Sequence, residues 1–138
     1  MSGPRVETVQ GTVEGTSQPG YQRFLGIPYA QPPVGRLRFR APEPPLPHRE
    51  IFVADTYSPH AFQSFSTMEH FLTEGTPIIT DEAECLGLSV WTPRCEDTRR
   101  PPIMWIHGDA YVAGTSTPWL DGARFAVDHD LTTTSPTS

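Results

Sequence analysis

A short apolar run in the last third of the chain places the tightest limit on its fold. Residues 103–106 read Ile-Met-Trp-Ile and are followed directly by the turn His107-Gly108. Successive side chains of a strand point to opposite faces, so a strand that is apolar throughout is predicted to lie in the middle of a sheet. The small residues of the turn can then present backbone N–H groups at the end of that strand, as an oxyanion hole for acyl transfer requires.

Proline is the second constraint, with 16 prolines among 138 residues, against a usual share of about 5%. Such a density interrupts helices and keeps strands short. A helix is predicted to begin near an N-cap at Asp121, and residues 60–81 are predicted to be mostly loop. Residues 51–54 are an apolar run that ends at a turn signal. Alternation and apolar runs predict a hairpin over residues 5–14 and strands over 21–25, 37–39, 86–91 and 103–106. The last two are predicted to form an antiparallel pair, because a polar turn joins them.

Charge and cysteine content narrow the class of protein. A formal net charge of −6 argues against nucleic acid or an anionic membrane as a partner. No window approaches the roughly 18 apolar residues of a membrane span, and the N-terminus has no apolar core of a secretory signal. Cys85 and Cys95 are too few for a disulfide framework and match no zinc spacing. We therefore expect a cytoplasmic chain with no cofactor and no metal, Cys85 being buried and Cys95 lying in a loop.

Four motifs in order carry a family resemblance. They are Gly26-Ile27-Pro28-Tyr29-Ala30 with Pro32-Pro33-Val34-Gly35, Leu37-Arg38-Phe39 with Pro42 and Pro44, Glu84-Cys85-Leu86 through Val90-Trp91-Thr92-Pro93, and Trp105-Ile106-His107-Gly108. With these motifs the chain resembles the N-terminal part of the type B carboxylesterases, the cholinesterase-like branch of the α/β-hydrolases.

The resemblance implies an incomplete α/β fold. It would comprise a small N-terminal β-sheet and the first, antiparallel strands of the main sheet. Residues 1–131 would form the N-terminal part of a carboxylesterase domain, and residues 132–138 are expected to be a disordered tail. Relatives would continue with a valine-rich strand where this chain reads Thr-Thr-Thr-Ser-Pro-Thr-Ser. A frameshift or a mispredicted gene end would produce such a switch.

The chemistry that the resemblance implies is hydrolysis of carboxylic esters by a serine nucleophile, an acid and a histidine base. No Gly-x-Ser-x-Gly occurs in these residues, so no catalytic residue is assigned and the chain is expected to be inactive alone. The oxyanion hole does carry over, to Gly108, Asp109 and Ala110. The partner would be a small-molecule carboxylic ester, if a downstream segment completes the site. The alternatives are a non-catalytic cholinesterase-like binding module and a split enzyme completed by a separate segment.

Two departures from the family pattern bear on the site and its support. Asp109 stands where the family has glycine, and a carboxylate ~4 Å from an oxyanion at an effective dielectric of ~20 would repel it by about 4 kcal/mol. Alternatively, Asp109 points to solvent. The acidic partner expected for Arg38 is replaced by Ala83, which leaves Glu82 or Glu84 to pair with it.

Overall fold

Strands of two to eight residues provide most of the regular structure. The computed structural model describes residues 2–64, 79–96, 98–108, 114, 116, 118 and 121–137. The strands in these ranges are β1 (Arg5–Glu7), β2 (Thr12–Glu14), β3 (Thr16–Gln18), β4 (Tyr21–Pro28), β5 (Phe52–Val53), β6 (Gly87–Thr92), β7 (Pro102–Met104) and β8 (Thr132–Pro136). The α-helix in the same part of the chain is α1 (Ala123–His129), and a single 3-10 turn spans Gly35–Leu37.

The N-terminal strands form the small sheet that the family resemblance implies. Its order is β1-β2-β5, with β1 antiparallel to β2 and β5 parallel to it. The predicted hairpin over residues 5–14 is therefore confirmed. Val13 of β2 packs with Phe24 and Ala54 in a buried apolar cluster, which joins this sheet to the larger one.

The larger sheet has five strands in the order β3-β4-β6-β8-β7. The pairs β3/β4, β4/β6 and β6/β8 are antiparallel, whereas β7 runs parallel to β8. Leu25 and Trp91 form a second buried cluster with Ala126 of α1. The Asp121 carboxylate accepts a hydrogen bond from the Ala123 N–H at 2.5 Å, at the start of this helix. The predictions for β4, β6 and α1 are thus confirmed, and the apolar run over residues 51–54 contains β5.

The predicted disorder after residue 131 is wrong, because residues 132–136 form strand β8. β8 pairs on both sides, with Thr133 opposite Trp91 of β6 and opposite Ile103 of β7. Backbone hydrogen bonds do not depend on the polarity of the side chains, and threonine is among the residues that strands favour. The small polar residues of this segment therefore do not prevent a strand from forming. Because β8 separates β6 from β7, the predicted antiparallel pairing of those two strands is also wrong.

The apolar run over residues 103–106, which is typical of the middle of a sheet, contributes strand β7 (Pro102–Met104). In the described part of the chain β7 has a neighbour only on the β8 side. Met104 is 62% exposed, Trp105 51% and Ile106 70%. Among the described strands, this apolar strand is therefore at the sheet edge. The neighbour it would need on its other side is not among the described strands.

Three smaller predictions are decided by the placement of side chains or by the backbone conformation. Arg38 donates to the Glu82 carboxylate at 2.6 Å, so Glu82 and not Glu84 is its partner. Cys85 is buried and Cys95 exposed, both as free thiols, as predicted. The strand predicted over residues 37–39 is wrong. Gly35 and Phe39 have φ values of 55° and 57°, a left-handed conformation that a strand does not contain.

No helix in the described ranges is long and apolar enough to cross a membrane.

Candidate functional site

The C-terminal end of strand β7 leads into the turn His107-Gly108. Pairing with β8 continues one residue past the strand, because the Trp105 N–H donates to the Thr134 carbonyl at 2.8 Å. The His107 Nδ1 lies 3.1 Å from the Gly108 carbonyl oxygen. A carbonyl only accepts hydrogen bonds, so this contact requires the ring proton on Nδ1.

Of the three predicted oxyanion-hole residues, the structure describes Gly108. It is exposed, and a Cβ added there would meet nothing within 4 Å. Asp109 and Ala110 lie outside the described residues, so the two alternatives for the Asp109 carboxylate stay predictions. The next described residue is Gly114, which is close to His107 and Gly108.

Gly114 lies back against the beginning of the turn. Its φ is 124°, which side chains rarely adopt. A Cβ at this position would come 2.9 Å from the Gly108 carbonyl oxygen and would collide with the His107 ring. Glycine is therefore required here both by backbone conformation and by space. Gly108 and Gly114 consequently lie next to each other.

A distant side chain holds Gly114 in this place. The Gln63 amide accepts a hydrogen bond from the Gly114 N–H at 2.6 Å and donates to the Gly114 carbonyl at 3.0 Å. The same amide nitrogen lies 3.4 Å from the Ala61 carbonyl. The sequence analysis missed Gln63, which falls in the region predicted as loop. No local pattern signals a contact between residues 51 positions apart.

Cys85, which lies within one of the family motifs, is not activated as a nucleophile. Burial raises the pKa of the Cys85 thiol, and the negative charges of Glu82 and Asp81 raise it further. A backbone hydrogen bond lowers the same pKa, but the net shift is upward. Cys85 is therefore protonated at neutral pH, and a thiol is a far weaker nucleophile than a thiolate. What the described site offers to acyl-transfer chemistry is backbone geometry.

Comparison with known proteins is consistent from sequence to structure. The sequence profile of the Carboxylesterase family matches residues 2–132. The para-nitrobenzyl esterase of Bacillus subtilis (strain 168) is 35% identical over 127 residues, which cover 91% of this chain and 25% of that protein. Carboxylesterase 1E of Mus musculus is 39% identical over 128 residues, or 82% of this chain and 22% of that protein.

Solved structures agree with the sequence matches. A PNB esterase structure superposes with a TM-score of 0.86 at 33% identity, over 96% of this chain and 27% of that one. A carboxylesterase of Geobacillus stearothermophilus gives a TM-score of 0.82 at 33% identity, over 96% and 26%. The chain thus spans about a quarter of the length of the curated relatives that it matches. It belongs to the carboxylesterase family and corresponds to the N-terminal part of that family's α/β-hydrolase fold.

Proposed function

We propose that this chain carries the oxyanion-hole segment of a serine carboxylesterase that hydrolyses small carboxylic esters. The observation that carries the proposal is the end of β7, where an apolar strand runs into His107-Gly108 and Gly114 lies against Gly108. In a member of the carboxylesterase family, this is the turn from which backbone N–H groups near Gly108, Asp109 and Ala110 would reach the substrate.

The chemistry of ester hydrolysis explains why such donors are needed. When a nucleophile attacks the ester carbonyl, negative charge develops on the carbonyl oxygen. Backbone N–H groups held about 2.7–3.1 Å from that oxygen stabilise the transition state, and losing one donor costs roughly 10²–10³ in kcat. The serine, acid and histidine would come from residues outside these 138, since no Gly-x-Ser-x-Gly occurs among them. We expect the isolated chain to release no nitrophenol from nitrophenyl esters above the buffer rate.

A hybrid enzyme tests the proposal directly. Residues 2–131 would replace the matching N-terminal part of the Bacillus subtilis para-nitrobenzyl esterase, and kcat would be measured on a para-nitrophenyl ester. The decisive variant is Ala110→Pro, which removes one backbone N–H. The matched control is Ala41→Pro in the exposed proline-rich stretch. We expect the wild-type hybrid and the control to be active, and the Ala110 variant to lose roughly 10²-fold or more in kcat. An Ala110 variant as active as the control would contradict the proposal.

The same hybrid separates the two alternatives for Asp109. If its carboxylate faces the oxyanion, Asp109→Gly raises kcat, by up to the factor that corresponds to about 4 kcal/mol. If the carboxylate faces solvent, kcat does not change.

A second candidate function is a non-catalytic binding module, and the aspartate at position 109 favours it because this residue opposes an oxyanion. A folded hybrid that is inactive both with Asp109 and after the Asp109→Gly substitution would support this candidate over the esterase. For either function we propose a reducing, cytoplasmic location, with which the free thiols of Cys85 and Cys95 agree.

A further inference from the structure

We propose that Gln63 is a positioning residue for the oxyanion-hole turn. It would act through Gly114, without touching the substrate, by holding the far end of the segment that contains Asp109 and Ala110. The inference rests on the proposed function for its catalytic consequence. The contacts that carry it are independent of that function.

The first step is the geometry of the contact. A primary amide has one carbonyl oxygen and one NH₂ group, and Gln63 uses both on a single residue. The Gly114 N–H donates to Oε1 at 2.6 Å, while Nε2 donates to the Gly114 carbonyl at 3.0 Å. Two hydrogen bonds to one residue fix its orientation as well as its position. A single hydrogen bond would leave the backbone there free to rotate.

The second step is what Gly114 is attached to. It is buried, its φ of 124° admits essentially only glycine, and a Cβ there would come 2.9 Å from the Gly108 carbonyl oxygen. The chain is therefore held before residue 109 by the pairing of β7 with β8 and after residue 113 by the hydrogen bonds of Gly114 to Gln63. An error of about 1 Å in the position of a catalytic group can cost roughly 10² in rate. Loosening one anchor is thus expected to act on kcat.

The third step separates a positioning role from simple stabilisation. Gln31 makes a similar contact elsewhere, its amide donating to the Pro44 carbonyl at 3.1 Å and to the Glu43 carboxylate at 3.4 Å. It joins the chain just after β4 to the proline-rich stretch, and among the described residues its side chain makes no hydrogen bond to the turn. Gln31→Ala is therefore a control that also removes a glutamine clamp.

The experiment begins with amide hydrogen exchange at Gly114 in the 138-residue chain, repeated in the hybrid esterase. Gln63→Ala removes both hydrogen bonds and is expected to speed exchange of the Gly114 N–H by roughly tenfold. In Gln63→Glu the carboxylate still accepts from that N–H but can no longer donate to the Gly114 carbonyl, so exchange is expected to lie between the parent and Gln63→Ala. Gln31→Ala should leave Gly114 unchanged.

Kinetics in the hybrid give the second readout. We expect kcat to fall roughly 10- to 100-fold in Gln63→Ala and less in Gln63→Glu, with KM within about twofold of the parent value. Gln31→Ala should keep the parent kcat. Gly114 exchange that is equally slow in Gln63→Ala and the parent would overturn the clamp itself. Faster exchange with an unchanged kcat would overturn the positioning role.

The two proposals fail in different ways. A hybrid that is folded but inactive both with Asp109 and after Asp109→Gly, with a protected Gly114 N–H, refutes the proposed function and with it the catalytic consequence of the clamp. An active hybrid whose kcat does not depend on Gln63 refutes only the inference about Gln63.

Discussion

Replacing Thr133 by valine is expected to stabilise the chain, although threonine and valine have almost the same shape. Thr133 lies in β8 and is 3% exposed. Its hydroxyl has no hydrogen-bond partner among the described residues. Its methyl group lies beside Gly122, just before helix α1. The side chain therefore buries a hydroxyl that has no partner among the described residues.

The magnitude follows from the cost of such a hydroxyl. Burying a polar group without a hydrogen bond costs about 1–3 kcal/mol, whereas a buried methyl in the same place is favourable. Thr133→Val should thus raise the free energy of unfolding by about 1–3 kcal/mol. For a chain of this length, a change of 1 kcal/mol shifts Tm by about 4 °C, so Tm is expected to rise by roughly 4–12 °C.

Thr134→Val on the same strand is the matched control. The Thr134 hydroxyl donates to the Ile103 carbonyl at 3.4 Å, and its side chain is only half-buried. Valine there removes a hydrogen bond and no unsatisfied group, so the free energy of unfolding should stay the same or fall.

Urea denaturation followed by circular dichroism gives both changes. A real gain appears as a higher midpoint with an unchanged m-value. The reasoning about β8 would be refuted if Thr133→Val lowered the midpoint, or raised it no more than Thr134→Val does.

Three further predictions concern the surface. Arg38→Ala should lower the free energy of unfolding by less than about 1 kcal/mol, because its ion pair with Glu82 is partly exposed; a double-mutant cycle with Glu82→Ala measures the coupling, and a value well above 1 kcal/mol would contradict this. Met104→Lys should reduce self-association through the exposed edge of β7, which light scattering after size exclusion reports; unchanged association would exclude that edge as the contact. The hydrogen bond from Arg5 holds the pKa of Glu14 below its ordinary value of 4.5, so the pair stabilises the fold above that pH and the contribution is lost as the pH falls through the folded-state pKa. Denaturation midpoints of Glu14→Gln and the parent should therefore differ at pH 6 and converge in acid, and a constant difference would contradict the linkage.

Local patterns were sufficient for the strands whose side chains alternate or form apolar runs. The hairpin of β1 and β2, strands β4 and β6, and helix α1 all lie where the sequence predicts them. Each of these elements is signalled by residues within it or directly beside it. The ordered motifs were likewise sufficient for the family, because they keep their order and spacing along the chain.

Prediction failed where the outcome depends on a distant neighbour. The segment that forms β8 is predicted to be disordered because its residues are small and polar, yet it pairs with β6 and β7 on its two sides. In β6, Ser89 and Trp91 are fully buried while Leu88 and Val90 are only half-buried. Side-chain polarity alone thus does not identify the buried face of this sheet.

The amino-acid sequence by itself determined the family, most of the strands and the location of the His107-Gly108 turn, since all of these are recorded in short stretches of neighbouring residues. Only the tertiary structure decided that β8 enters the sheet between β6 and β7 and that Gln63 holds Gly114. The reason is physical, because both kinds of contact join groups that are far apart in the chain. Strand pairing uses backbone N–H and C=O groups, which nearly every residue has, and the contact with Gly114 uses a side-chain amide that every glutamine has. Such contacts leave no local pattern to be recognised before the chain is folded.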